Sequence, residues 1–123
     1  KEYEITDAGR AELRRWLIDV TPDRIGRNEW LLRVFFLWTL PPEEAADYLD
    51  GEAAAARRGA EHLASIDALV NWDQTGSDFM GRLALEWGLR STRFQAEWAE
   101  WAAAQIRSGH DATTMDRRDR ARK

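Results

Sequence analysis

Cysteine is absent from this chain of 123 residues. That excludes a disulfide framework and a thiolate nucleophile. Histidine is scarce: His62 follows Glu61 within a helical pattern, and His110 lies near the C-terminus. A metal site or a catalytic triad needs several converging groups, and spacing brings nothing to either histidine, so His62 reads as a surface residue. A Gly-rich phosphate loop and a Gly-x-Ser-x-Gly elbow are both missing. The acidic residues Glu43, Glu44, Asp47, Asp50 and Glu52 lack the glycine-turned loop of a calcium site. They follow helical spacing and read as a solvated helix face. Long hydrophobic runs are also lacking. The longest, residues 30–40, is interrupted by Arg33 and Thr39, and a spanning helix needs about 20 apolar residues. The charged N-terminus has no signal-peptide pattern. Basic excess is missing too, since the formal net charge is −4, whereas a nucleic-acid-binding surface should be basic. These absences lead to the expectation of a cytoplasmic, non-enzymatic chain without metal or cofactor.

What the chain has is helical periodicity and seven tryptophans. A first helix is expected from about Thr6 to Val20, with Thr6 as N-cap, Asp7 in the first turn and Leu13, Trp16, Leu17 and Val20 at helical spacing. Thr21-Pro22-Asp23 ends it, and Gly26 marks a short linker. A second helix is expected from about Asn28, a candidate N-cap, to Leu40. Its apolar residues cover nearly all sides, which predicts burial at the centre of the fold. A third helix should run from Pro42 to about Val70. Pro suits its first turn, and Glu43 and Glu44 favour its N-terminal dipole. Leu49, Ala56, Leu63 and Val70 recur every seven residues beside Ala53 and Ala60, as in a coiled-coil seam. Gly51 and Gly59 are expected to let a neighbouring helix come close.

After a loop over residues 71–76, a fourth helix should span about Asp78 to Ser108. At 100° per residue, Met80, Leu83, Trp87, Phe94, Trp98 and Trp101 fall on one face, and Leu85, Leu89, Ala96, Ala99 and Ala103 on the opposite one. Two apolar faces need two packing partners: the third helix and, most economically, a second copy of the chain. Arg82–Glu86 and Arg93–Glu97 have the spacing of helical ion pairs. From Gly109 the periodicity stops. Residues 116–123 hold five basic and two acidic residues and suit either a solvated tail or an arm for DNA phosphates.

The first seventeen residues add one further pattern. Tyr3 and Ile5 alternate with Glu2, Glu4 and Thr6, as in a half-buried strand, and the strand would lead straight into the first helix. A strand must pair its backbone groups, yet no partner strand is visible. The chain also lacks an initiator Met, so it is expected to be the back part of something larger. Tyr-x-Ile-Thr-x-x-Gly-Arg followed by Leu13 and Trp16 resembles the end of the winged helix in PadR-like transcriptional regulators. Arg27-Asn28-Glu29-Trp30-Leu31-Leu32-Arg33-Val34-Phe35-Phe36 is similar to the pattern that opens that family's C-terminal helical domain. Pro41-Pro42 departs from the family's usual Ser-Pro.

The expected fold is therefore all-α: four main helices, a long antiparallel helical hairpin and a remnant wing strand. Residues 1–20 would end a winged-helix domain and connect it onward. Residues 27–108 would form a dimerisation and effector domain, and residues 109–123 a disordered tail. The resemblance implies a homodimeric regulator that meets DNA only through a preceding region. It also implies a small aromatic effector bound near the aromatic face, with Trp87, Phe94, Trp98 and Trp101 as candidates. Leu85, Leu89, Ala96, Ala99 and Ala103 are the candidate dimer interface. Two alternatives stay open. The aromatic stripe could be simply core and dimer seam, and the chain could be a self-contained helical module that docks another protein without any link to DNA.

Overall fold

The computed structural model describes residues 3–24, 26–72 and 76–109. His110 and the basic segment 116–123 lie outside the described residues, as does all of the expected tail except Gly109. The chain divides into two units, residues 1–32 and 33–123.

In the first unit, α1 spans Asp7–Asp19. Thr6 caps it as expected: its Oγ1 accepts a hydrogen bond from the Gly9 N–H at 3.0 Å, satisfying one of the free donors of the first turn. No residue of α1 is buried. The expected wing strand is not formed. Residues 3–6 are extended, and the described residues contain no strand. Four alternating residues make a strand only where another backbone takes their N–H and C=O groups.

Helix α2 spans Glu29–Phe35 and crosses from one unit into the next. Asn28 caps it, with Oδ1 accepting from the Leu31 N–H at 3.2 Å. The expected single helix to Leu40 breaks at Phe36, and Leu37–Thr39 continues as a 3-10 turn. The Thr39 side chain and backbone N–H both donate to the Phe36 carbonyl, at 2.8 and 3.1 Å. Central burial is not observed either. α2 buries no residue, and only Leu37 of the following turn is buried. An apolar surface all round a helix states how much could be covered; it supplies no covering element.

The second unit is built on a long helical hairpin. Helix α3 spans Pro42–Leu69 and α4 spans Gly76–Arg107. Their 28 and 32 residues correspond to lengths of about 42 and 48 Å. Pro42 stands in the first turn of α3, where its missing N–H costs no hydrogen bond. The two helices pack along their lengths, and the 3-10 turn touches α3. Ala45, Ala46, Leu49 and Ala53 of α3 are buried against Leu89, Ala96, Ala99, Ala102 and Ala103 of α4. Ala56, Ala60 and Leu63 continue the seam half-buried, while Val70 is exposed and caps the helix instead.

Alanine dominates this seam because two helices joined by small side chains can bring their backbones close. Of the glycines in the two helices, Gly88 has the tightest surroundings. A Cβ there would lie 3.0 Å from Leu63 Cδ1. Of the two glycines expected to serve this purpose, Gly59 would only touch Thr92, at 3.9 Å, and Gly51 faces open space. Gly51 lies on the outer surface of α3, so no helix comes near it. Toward the turn, the Trp72 indole N–H donates to the Asp67 carbonyl at 3.3 Å, and the ring covers Gly81. No helix among the described residues is long and apolar enough to cross a membrane.

Candidate functional site

Helix α4 carries both sets of residues singled out by periodicity, and the hairpin separates their fates. Leu89, Ala96, Ala99 and Ala103 are buried and Leu85 is half-buried, all against α3. This face, expected as the dimer interface, is consumed within the chain. Its small side chains match the alanines of α3, which is why it turns inward. The hydroxyls beside it are satisfied locally: Thr92 Oγ1 donates to the Gly88 carbonyl at 2.7 Å and Ser91 Oγ to the same carbonyl at 3.1 Å.

The opposite face stays open. Trp87 is 77% exposed, Phe94 65%, Met80 64%, Trp101 58% and Leu83 52%. Trp98 is half-buried. These residues run along about six turns of helix, roughly 32 Å from Met80 to Trp101. The four candidate effector residues do not close one pocket within a single chain. Trp98 and Trp101 sit together, with ring centroids 6.4 Å apart and planes tilted by 48°. Phe94 is one turn from Trp98, but Trp87 lies about 16 Å from Trp98 along the axis.

Charge is arranged around these faces in two ways. Glu86 and Arg90 lie at one edge of the open face and form an ion pair at 2.9 Å. Glu86 takes Arg90 rather than the expected Arg82, whose guanidinium stands 3.9 Å from Asp67 of α3. A glutamate four residues before its cation is the better-oriented helical pair. The Arg90 hydrogen bond holds the Glu86 carboxyl below its ordinary value, against a smaller opposing effect of burial.

Across the hairpin, Arg57 donates two hydrogen bonds to Glu100, at 2.9 and 2.7 Å. At the open end, Arg107 of α4 reaches Glu43, Asp47 and Asp50 of α3 at 3.0, 2.9 and 2.6 Å. Asp50 first and Glu43 second hold that guanidinium more firmly protonated than usual. Part of the acidic face read as merely solvated is thus a clasp for the end of α4. Sequence spacing could not show this, because the partner lies some 60 residues away. No group of three or more metal-ligating side chains comes together among the described residues. His62 is exposed, as expected.

The sequence profile of one family, described as virulence activator alpha C-term, matches residues 26–107, two thirds of the chain. No curated protein and no solved structure matches it. The profile match overturns the PadR-like resemblance: it is to a different family, and no PadR profile matches. It begins after the Tyr3–Leu17 motif, one of the two that carried that resemblance, and the strand which that motif required is not formed. The long hairpin and the aromatic face of α4 fall within the matched region, and the chain belongs to the virulence activator alpha C-terminal family.

Proposed function

We propose that this chain is the assembly and effector-responsive part of a transcription regulator, and that it works as a homodimer without catalysing a reaction. The observation that carries the proposal is the open face of α4. Met80, Leu83, Trp87, Phe94 and Trp101 remain exposed after the hairpin has formed, and large contiguous apolar patches mark interaction sites. The family description supplies the regulatory context. DNA would be met through another region of the regulator, since this chain carries a net charge of −4. A flat aromatic effector fits the same face, because indole and phenyl rings bind planar groups by stacking. Binding that favoured one dimer geometry would shift the regulator toward it.

Sedimentation equilibrium at micromolar concentration tests the assembly half. A dimer is expected, and Trp87→Glu should weaken it at least about tenfold, as loss of a central aromatic anchor does. A wild-type chain that stays monomeric to about 100 µM overturns the proposal. Tryptophan fluorescence titration with planar aromatic compounds tests the effector half. No response across a varied set removes that half and leaves the dimer standing. The second reading, docking of a different protein on the same face, is favoured if the chain is monomeric and captures a helical partner through Trp87 and Phe94.

A further inference from the structure

Charge is divided unevenly along the hairpin. Its open-end half, residues 42–56 of α3 and 94–107 of α4, carries seven carboxylates and one guanidinium, that of Arg107. The half toward the turn, residues 57–69 and 76–93, carries five guanidiniums and four carboxylates. Three aromatic residues of the open face lie in the negative half. They are Phe94, Trp98 and Trp101, at the i, i+4, i+7 spacing of one helix stripe. The Trp98 and Trp101 rings stand 6.4 Å apart with planes tilted by 48°. Two rings clamp a planar ligand between them only when they are parallel, whereas tilted faces can both touch a compact group. Aromatic faces attract a cation within about 6 Å of the ring centroid, and at 6.4 Å separation one cation can satisfy both rings. Glu97 adds charge beside them. It directly precedes Trp98 and lies one turn before Trp101. The arginines around it are engaged elsewhere: Arg57 pairs with Glu100 at 2.7 Å and Arg90 with Glu86 at 2.9 Å. Arg93, one turn before Glu97, also acts on Glu86 through space.

We propose that Phe94, Trp98, Trp101 and Glu97 form a binding site for a compact alkylammonium cation of the choline type, taken up free from solution. This inference rests on the effector half of the reading above and fixes the class of ligand at this end of the face. The rings supply cation–π attraction, which recognises quaternary ammonium groups although these donate no hydrogen bond. Glu97 supplies an adjacent negative charge, and the carboxylate excess of the open end raises the local concentration of cations. A phosphocholine headgroup of a lipid carries the same ammonium. Its phosphate would be repelled by that carboxylate excess, which favours the free cation as the occupant. Trp87 stands apart from this site, in the half of the hairpin where cations outnumber carboxylates.

The whole chain is titrated with choline and with tert-butylethanol, its uncharged carbon isostere. NMR of the tryptophan indole N–H groups reads the binding, and Trp98→Leu and Trp101→Leu assign their two signals. Choline should move both signals. Each exposed cation–π contact is worth roughly two- to fivefold in affinity, so choline should bind at least about tenfold more tightly than the alcohol. Glu97→Gln keeps the size of an exposed side chain and removes its charge. It should weaken choline binding about two- to threefold and leave the alcohol unaffected. Added salt should likewise weaken choline alone. Trp87→Leu should leave choline binding unchanged, whereas Trp101→Leu should reduce it about fivefold. Equal affinity for choline and the alcohol overturns the inference, as does a choline response confined to other tryptophans. Binding to phosphatidylcholine vesicles without binding of choline overturns it as well. A response to planar aromatic compounds without one to choline overturns it while leaving the effector reading in place. No response to either class removes both.

Discussion

The two faces of α4 invert the usual order of burial. Transfer from water favours covering apolar area at about 25 cal/mol per Å², so the largest apolar side chains are normally the first to be buried. Here the buried face consists of Leu89 and four alanines, while Trp87, Phe94 and Trp101 on the other face stay exposed. Small side chains win the hairpin seam because they allow close backbone contact along many turns, and a matching alanine row on α3 meets them. The large side chains have no such row within the described chain. The hairpin therefore specifies itself with small residues and leaves its largest apolar surface uncovered by the described residues.

The strongest way to break this comparison is to truncate one residue on each side of it. Leu49 is 1% exposed in the seam, and Leu49→Ala should destabilise the hairpin by about 2–5 kcal/mol, from lost transfer energy and the cavity left behind. Trp87→Ser removes a larger side chain from the open face. At low protein concentration, it should change stability by no more than about 0.5 kcal/mol. Urea melts followed by circular dichroism at low concentration read both. Equal losses would mean that the aromatic face is also part of the folded monomer's core.

Local chemistry was the most legible part of the sequence. Thr6 and Asn28 cap helices, Pro42 opens one, and the hairpin follows from apolar rows at heptad spacing, because each of these depends on residues within a turn or two. What failed depended on elements that spacing cannot supply. The alternation at Tyr3 and Ile5 had no second strand to pair with among the described residues. The all-round apolar surface of α2 predicted burial, and no residue of the helix is buried. Periodicity revealed both faces of α4 without ranking them, although side-chain size could have done so: the alanines of α3 match Ala96, Ala99 and Ala103, and nothing in α3 matches three large aromatics. Gly88 escaped notice because a lone glycine in a helix reads as a helix-propensity cost until the opposite Leu63 is in view.

The glycines sharpen the same contrast at a smaller scale. At Gly51 an added Cβ meets nothing within 4 Å, so Gly51→Ala should raise stability by about 0.5–1 kcal/mol through helix propensity alone. Gly88→Ala offers the same propensity gain but places its Cβ 3.0 Å from Leu63 Cδ1. Its melting temperature should therefore rise less than that of Gly51→Ala. A larger gain at Gly88 would show that the seam is looser than its alanines imply.

Arg107 separates the ends of the hairpin from its middle. Its three carboxylate partners are all exposed, so Arg107→Ala should leave the global melt nearly unchanged, as exposed ion pairs do. It should instead loosen the last turns of α4, visible as faster amide exchange over residues 104–107. Added salt should reduce the difference between wild type and variant, because exposed charges are screened. Accelerated exchange throughout α3 and α4 would mean that the clasp governs the whole seam.

The smallest effect lies at the rim of the open face. Arg90 holds the Glu86 carboxyl below its ordinary value, so the folded state binds that proton less readily than the unfolded state does. The pair's contribution is therefore fully present above the ordinary glutamate value of about 4.3 and is lost as pH falls through the lower folded value. Carbon NMR of the Glu86 carboxyl should give a titration midpoint under about 4.3, and Arg90→Gln should move it upward. A midpoint unmoved by that substitution would mean that Arg90 is not what favours the carboxylate.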